Sequence, residues 1–154
     1  MHSVIVTIVI AAARLTGPSP ACEILSTTEV ARFLRTPAVR IDSINSGMNE
    51  MTKVDVCSWY VREGESEGVM LKLRHGDSPD GGVAMLAARV DEGFPAPAEP
   101  VSVAGVGDEA QYLPYPDGRG GTIIVRKGAD VATLIGSAPK ETLVSMAKVV
   151  VSRF

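Results

Sequence analysis

The first twenty-one residues constrain this chain more than any later stretch, because they decide where folding starts and in which compartment. Val4 to Ala13 is a ten-residue run, apolar except for Thr7 and free of charge, too short to span a bilayer and about the length of the apolar core of an export signal. Arg14 interrupts it, and Gly17-Pro18-Ser19-Pro20-Ala21 then breaks any helix. Ser19 and Ala21 put small residues at the two positions a signal peptidase reads, so cleavage is expected after Ala21. That divides the chain into a signal peptide over 1–21 and a single domain over 22–154. Met1-His2-Ser3 lacks the basic residue that usually precedes such a run. The competing reading makes the β-branched residues 4–10 a first buried strand. The Pro/Gly break, standing where processing needs it, favours export.

An exported chain with two cysteines pairs them. A Cys22–Cys57 bridge would stabilise the domain by about 3–4 kcal/mol in the chain-entropy account. The alternative is a lipid on Cys22 as the first mature residue. Lipoprotein signals usually carry Leu three residues before that cysteine, where this chain has Ser19, and lipidation would leave Cys57 unpaired. The expected location is periplasmic or extracellular, with membrane anchoring through Cys22 as the variant reading and no transmembrane span in the mature chain.

Downstream, hydrophobic periodicity sets the elements. Ser26-Thr27-Thr28-Glu29 is a capping box with Leu25 and Val30 as a hydrophobic staple, opening a helix that Thr36-Pro37 stops near Arg35. Within residues 38–53, Val39, Ile41 and Ile44 could make a strand, whereas Asn45 to Glu50 reads as an irregular, mobile loop. Val54 to Arg62 alternates as a strand, with Cys57, Trp59 and Val61 on the inward face. Residues 69–74 alternate likewise and complete an antiparallel hairpin. Val83 to Val90 has the composition of a helix, and a Pro-rich connector follows. Strands are expected over 109–114, 121–127 and 130–136, with Lys127-Gly128-Ala129 turning the last hairpin. Leu143, Met146, Ala147, Val150, Val151 and Phe154 then mark an amphipathic helix begun around Ser137 and Pro139. These elements predict an α+β fold: an antiparallel sheet of about five strands, two or three helices packed on one face, and one disulfide. At 45% hydrophobic residues, the 154-residue chain has enough apolar material for one core.

The pattern Cys22-Glu23-Ile24-Leu25-Ser26 before Glu29-Val30, then Cys57-Ser58-Trp59, then Gly107-Asp108-Glu109-Ala110, then Val125-Arg126-Lys127-Gly128 resembles small exported bacterial domains of unknown function, many of them lipoproteins. The resemblance spans residues 22–154. It implies the Cys22–Cys57 bridge and an envelope location, and brings no activity with it. The chain departs from lipoprotein members in having no further cysteine upstream to carry lipid.

Charge and motifs exclude several function classes. Fifteen basic residues face eighteen acidic ones, a net charge of −3, and loss of residues 1–21 removes only Arg14 and makes it −4. Such a chain does not offer the clustered cations that nucleic acid requires. Gly105-Val106-Gly107 lacks the third glycine and the strand-to-helix setting of a dinucleotide loop. It reads instead as a tight turn, with Asp108 or Glu109 bonding nearby amides. His75, with Asp77 and Asp80, falls short of the ligand count for zinc and of the spacing for calcium, so no metal or cofactor is expected. A hydrolase would have to use His75 as its base, and no Gly-x-Ser-x-Gly elbow accompanies it. Glu63, Glu65 and Glu67 read as solubilising charges at a hairpin tip. Trp59 reads as core beside the disulfide. Tyr112 and Tyr115 are the candidate contacts for a partner, an envelope protein or ligand, although half-buried sheet placement suits Tyr112 as well. The function expected is a non-catalytic binding or interaction module.

Overall fold

Backbone pairing, more than helix, organises the chain. The computed structural model describes residues 19–49, 53–61, 68–76 and 99–153. Their strands are β1 (Arg40–Ile41), β2 (Gly47–Asn49), β3 (Val54–Tyr60), β4 (Gly68–Arg74), β5 (Val101–Ser102), β6 (Glu109–Pro114), β7 (Gly121–Lys127) and β8 (Asp130–Gly136). All join one antiparallel sheet in the order β1-β3-β4-β8-β7-β6-β5, with β2 also paired to β3. The helices are short: α1 (Pro20–Ile24), α2 (Thr27–Leu34) and α3 (Lys140–Val151).

The expected α+β fold with about five strands is therefore corrected: among the described residues the fold is mostly one antiparallel sheet of eight strands, with only short helices. The five that were anticipated, β3, β4, β6, β7 and β8, form the long centre of the sheet. The other three are two- and three-residue pieces at or beside its edges, with mostly exposed side chains. They are held by backbone bonds to a neighbour, so no buried face imposes a period of two that a sequence could display. β1 falls where Val39, Ile41 and Ile44 leave a strand open, and β2 falls in the Asn45 to Glu50 stretch expected to be an irregular loop. The helix expected at Val83 to Val90 and the Glu63, Glu65 and Glu67 turn lie outside the described residues.

Alternation in the central strands directs one row of each toward the helices. Cys57, Leu71, Leu134, Ile123 and Tyr112 stand in register across β3, β4, β8, β7 and β6, and all are buried. Against this row α3 places Leu143, Met146, Ala147 and Val150, each at most 1% exposed. Burying the larger of these stabilises the fold by roughly 1.5–3 kcal/mol apiece. α1 packs on β3 and β4, and α2 meets α3. Ile124 and Leu113, at the alternate positions of β7 and β6, are buried on the opposite face.

Local chemistry fixes the ends of α2. Ser26 Oγ accepts from the Glu29 amide at 3.3 Å while the Glu29 carboxylate accepts from the Ser26 amide at 3.0 Å, the reciprocal capping box expected. At the other end Arg35 adopts the left-handed conformation, φ 54°. Thr36 N–H then bonds Ala31 O and Arg35 N–H bonds Arg32 O, closing the last turn in a Schellman pattern. The Cys22–Cys57 disulfide is present, with the two Cα atoms 5.1 Å apart, and it ties α1 to β3.

Candidate functional site

Two clefts open at one end of the sheet, where β3 ends at Tyr60 and β4 begins at Gly68. They share Gly68 and Ser137 as a common wall, closed by the Ser137 N–H bond to Gly68 O at 3.2 Å. The first, of about 360 Å³, lies on the face away from the helices and is lined by Ser58, Tyr60, Met70, Ile135 and Tyr115, with Asp42 and Asn45 at its rim. The second, of about 540 Å³, lies between the end of α2 and the start of α3, against Phe33, Leu34, Val61 and Ala138.

The first cleft exists because the strands that reach it put their outward residues there. Ser58, Met70, Ile135 and Thr122 are successive cross-strand partners in β3, β4, β8 and β7. Tyr115 sits in the loop just beyond β6, anchored by its own amide to Gly120 O at 2.9 Å. Burial pushes the pKa of its phenol above the ordinary tyrosine value. The rim is equally well held. Asp42 accepts from the Ile44 and Asn45 amides at 3.0 and 3.2 Å and from Asn45 Nδ2 at 2.6 Å, and the Asn45 side-chain bond holds its carboxyl below the usual range. Asp42 N–H reaches Ser58 O, and Ser46 Oγ accepts from Ser58 N–H. The loop over 42–46 is thereby fastened to β3. No Lys or Arg lines this cleft among the described residues.

The two tyrosines singled out from sequence do not share a site. Tyr112 points into the core, 6% exposed, and its hydroxyl donates to Gly120 O at 2.9 Å. Lys140 Nζ lies 5.6 Å from the centre of its ring. Tyr115 alone reaches the cleft. Tyr60, Met70 and Ile135 escaped sequence reasoning; their signal was large apolar side chains at the outward positions of strands otherwise correctly phased.

His75 belongs elsewhere. It follows β4 at the end away from the clefts, about 20 Å distant at the rise of an extended strand, and is half exposed, with Nδ1 3.4 Å from Asp130 Oδ1. Asp77 and Asp80, its sequence neighbours, lie outside the described residues. No group of three His, Cys, Asp or Glu among the described residues could hold a metal. The Gly105-Val106-Gly107 segment is a turn whose Asp108 accepts from Gly128 N–H at 2.7 Å and donates its own amide to Arg126 O, locking the β7–β8 hairpin. Cys22 spends its sulfur on Cys57, and a thioether-linked lipid on that atom is incompatible with this bond. Ala21, the expected point of processing, is fully buried within α1. Among the described residues no helix is long and apolar enough to cross a membrane.

Comparison with protein-family models, with curated proteins and with solved structures finds no match to this chain.

Proposed function

We propose that this chain is an exported, non-catalytic binding module that takes a small neutral or cationic ligand into the cleft beside Tyr115. The observation that carries the reading is the composition of that cleft. Tyr60, Met70, Ile135 and Tyr115 supply apolar and aromatic wall, while Ser58 and Asn45 bring polar groups to the same space. Its size and mixture of walls match those of small-molecule pockets, where apolar surface gives affinity and a few polar groups give orientation. The ionised Asp42 at the rim and the lack of a described lining cation oppose an anionic ligand. The disulfide, the apolar leader sequence and the resemblance to exported envelope domains support the compartment.

The test is amide chemical-shift mapping of the oxidised protein against a set of neutral and cationic aromatic fragments. Shifts are expected to cluster at Ser58, Met70, Tyr115 and Ile135, and to disappear in Tyr115→Ala while the remaining spectrum stays folded. Shifts that Tyr115→Ala leaves untouched, or a response confined to the His75 end of the sheet, would refute this assignment.

A further inference from the structure

We infer that the leader is removed between Ala13 and Arg14, upstream of Ser19, and not after Ala21; the inference rests on the export reading above. It starts from Asp55, a core-facing residue of β3 with no exposed surface. Its carboxyl group accepts from the Ser19 hydroxyl at 2.6 Å and from the Ala21 amide at 2.7 Å. The Ser19 carbonyl in turn accepts from the Cys22 and Glu23 amides and so forms the first turn of α1. Ala21 itself is part of the hydrophobic core.

A cut after Ala21 would remove all of this at once. Both neutral donors to Asp55 would leave, and a buried acceptor stripped of its donors is among the costlier defects a small domain can carry. α1 would lose its first turn, including Pro20, a residue suited to the first helical position. Signal peptidase acts on the extended chain before folding, so the burial of Ala21 does not bar the cut. What the burial reports is which residues the finished domain retains.

The sequence offers a better place. Ala11-Ala12-Ala13 sets small residues at both recognised positions, directly after the seven-residue stretch Val4 to Ile10, apolar except for Thr7, a length within the range of a signal core. Cleavage there leaves Arg14 to Pro18 as a short lead into Ser19, and the mature chain keeps its Arg14.

The protein is to be expressed from its full gene, with its own leader, in its native host, recovered from outside the cytoplasm and read by intact mass and N-terminal sequencing. A first residue of Arg14 with no alkylatable thiol is expected. A first residue of Cys22 overturns the inference and leaves the export reading standing. Retention of Met1 with two alkylatable thiols overturns the export reading and the inference with it. In pulse labelling, which reads processing before folding, Ala13→Lys is expected to accumulate precursor while Ala21→Lys is processed like the wild type. The reverse pattern places the cut after Ala21.

Discussion

Gly105 and Gly107 both adopt positive φ, +74° and +60°, yet only one of them is hemmed in. A Cβ on Gly105 would meet nothing within 4 Å, whereas one on Gly107 would fall on the Arg126 carbonyl oxygen and within 2.7 Å of Val125 Cγ1. The carbonyl cannot step aside, because it accepts the Asp108 amide and belongs to the β6–β7 ladder. Gly105→Ala should therefore cost only the conformational penalty, about 1 kcal/mol. Gly107→Ala should cost about 2–4 kcal/mol, since backbone must move as well. Urea titration of the two variants separates the cases, and equal losses would mean that the close approach at Gly107 carries no weight. At this scale the sequence was partly legible. Gly-x-Gly followed by Asp marked a turn, but the constraint on Gly107 comes from Arg126, nineteen positions away, and no local rule reports it.

Among the elements, those with a buried face were readable and those without one were not. α2 declared its start through Ser26 and Glu29 and its core side through Val30; β3 and β4 declared theirs through Cys57, Trp59, Leu71 and Leu73. The pairs β1 and β5, two residues each, exist only because β3 and β6 present unpaired edges to them. The cleft was illegible for a related reason: Tyr60, Met70 and Ile135 meet because β8 inserts beside β4, a long-range pairing that periodicity cannot specify. The element most in need of a staple is α1, five residues long and well below the length at which a helix persists by itself. Its attachment to β3 is the disulfide together with the bonds to Asp55. Replacing both cysteines by alanine, which leaves no lone thiol, is expected to lower unfolding stability by about 3–4 kcal/mol. Equilibrium denaturation checks this. An unchanged midpoint would show that the loop between Cys22 and Cys57 is already restrained in the unfolded chain.

Across the whole molecule, an ionic clasp joins the N-terminal layer to the C-terminal helix, and its partners stand 124 positions apart in sequence. Arg153, just past α3, donates Nη2 to Glu29 Oε1 at 2.6 Å and Nη1 to Glu29 Oε2 at 3.0 Å, and reaches Ile24 O at 2.6 Å. Glu29 also holds the cap of α2, so the Arg153 guanidinium ties the end of α3 to the capped start of α2 and, through Ile24 O, to the end of α1. The Arg153 hydrogen bond is the main reason the Glu29 pKa falls from 4.5 to about 2. A carboxylate depressed by folding stabilises the native state fully above its unfolded pKa. That stabilisation is lost as pH falls through the folded value, here from about 4.5 down to about 2. The side chain of Glu29 is a quarter exposed, so solvent screening discounts the shift and leaves about 1–2 kcal/mol for Glu29→Gln at neutral pH. The wild type should thus lose its advantage over Glu29→Gln as the buffer is taken from pH 5 to pH 2, and added salt should narrow the gap at pH 7. Urea midpoints of the two proteins along that pH series are the measurement. A gap that stays constant down to pH 2 would mean that the clasp contributes through packing and not through the charge of Glu29.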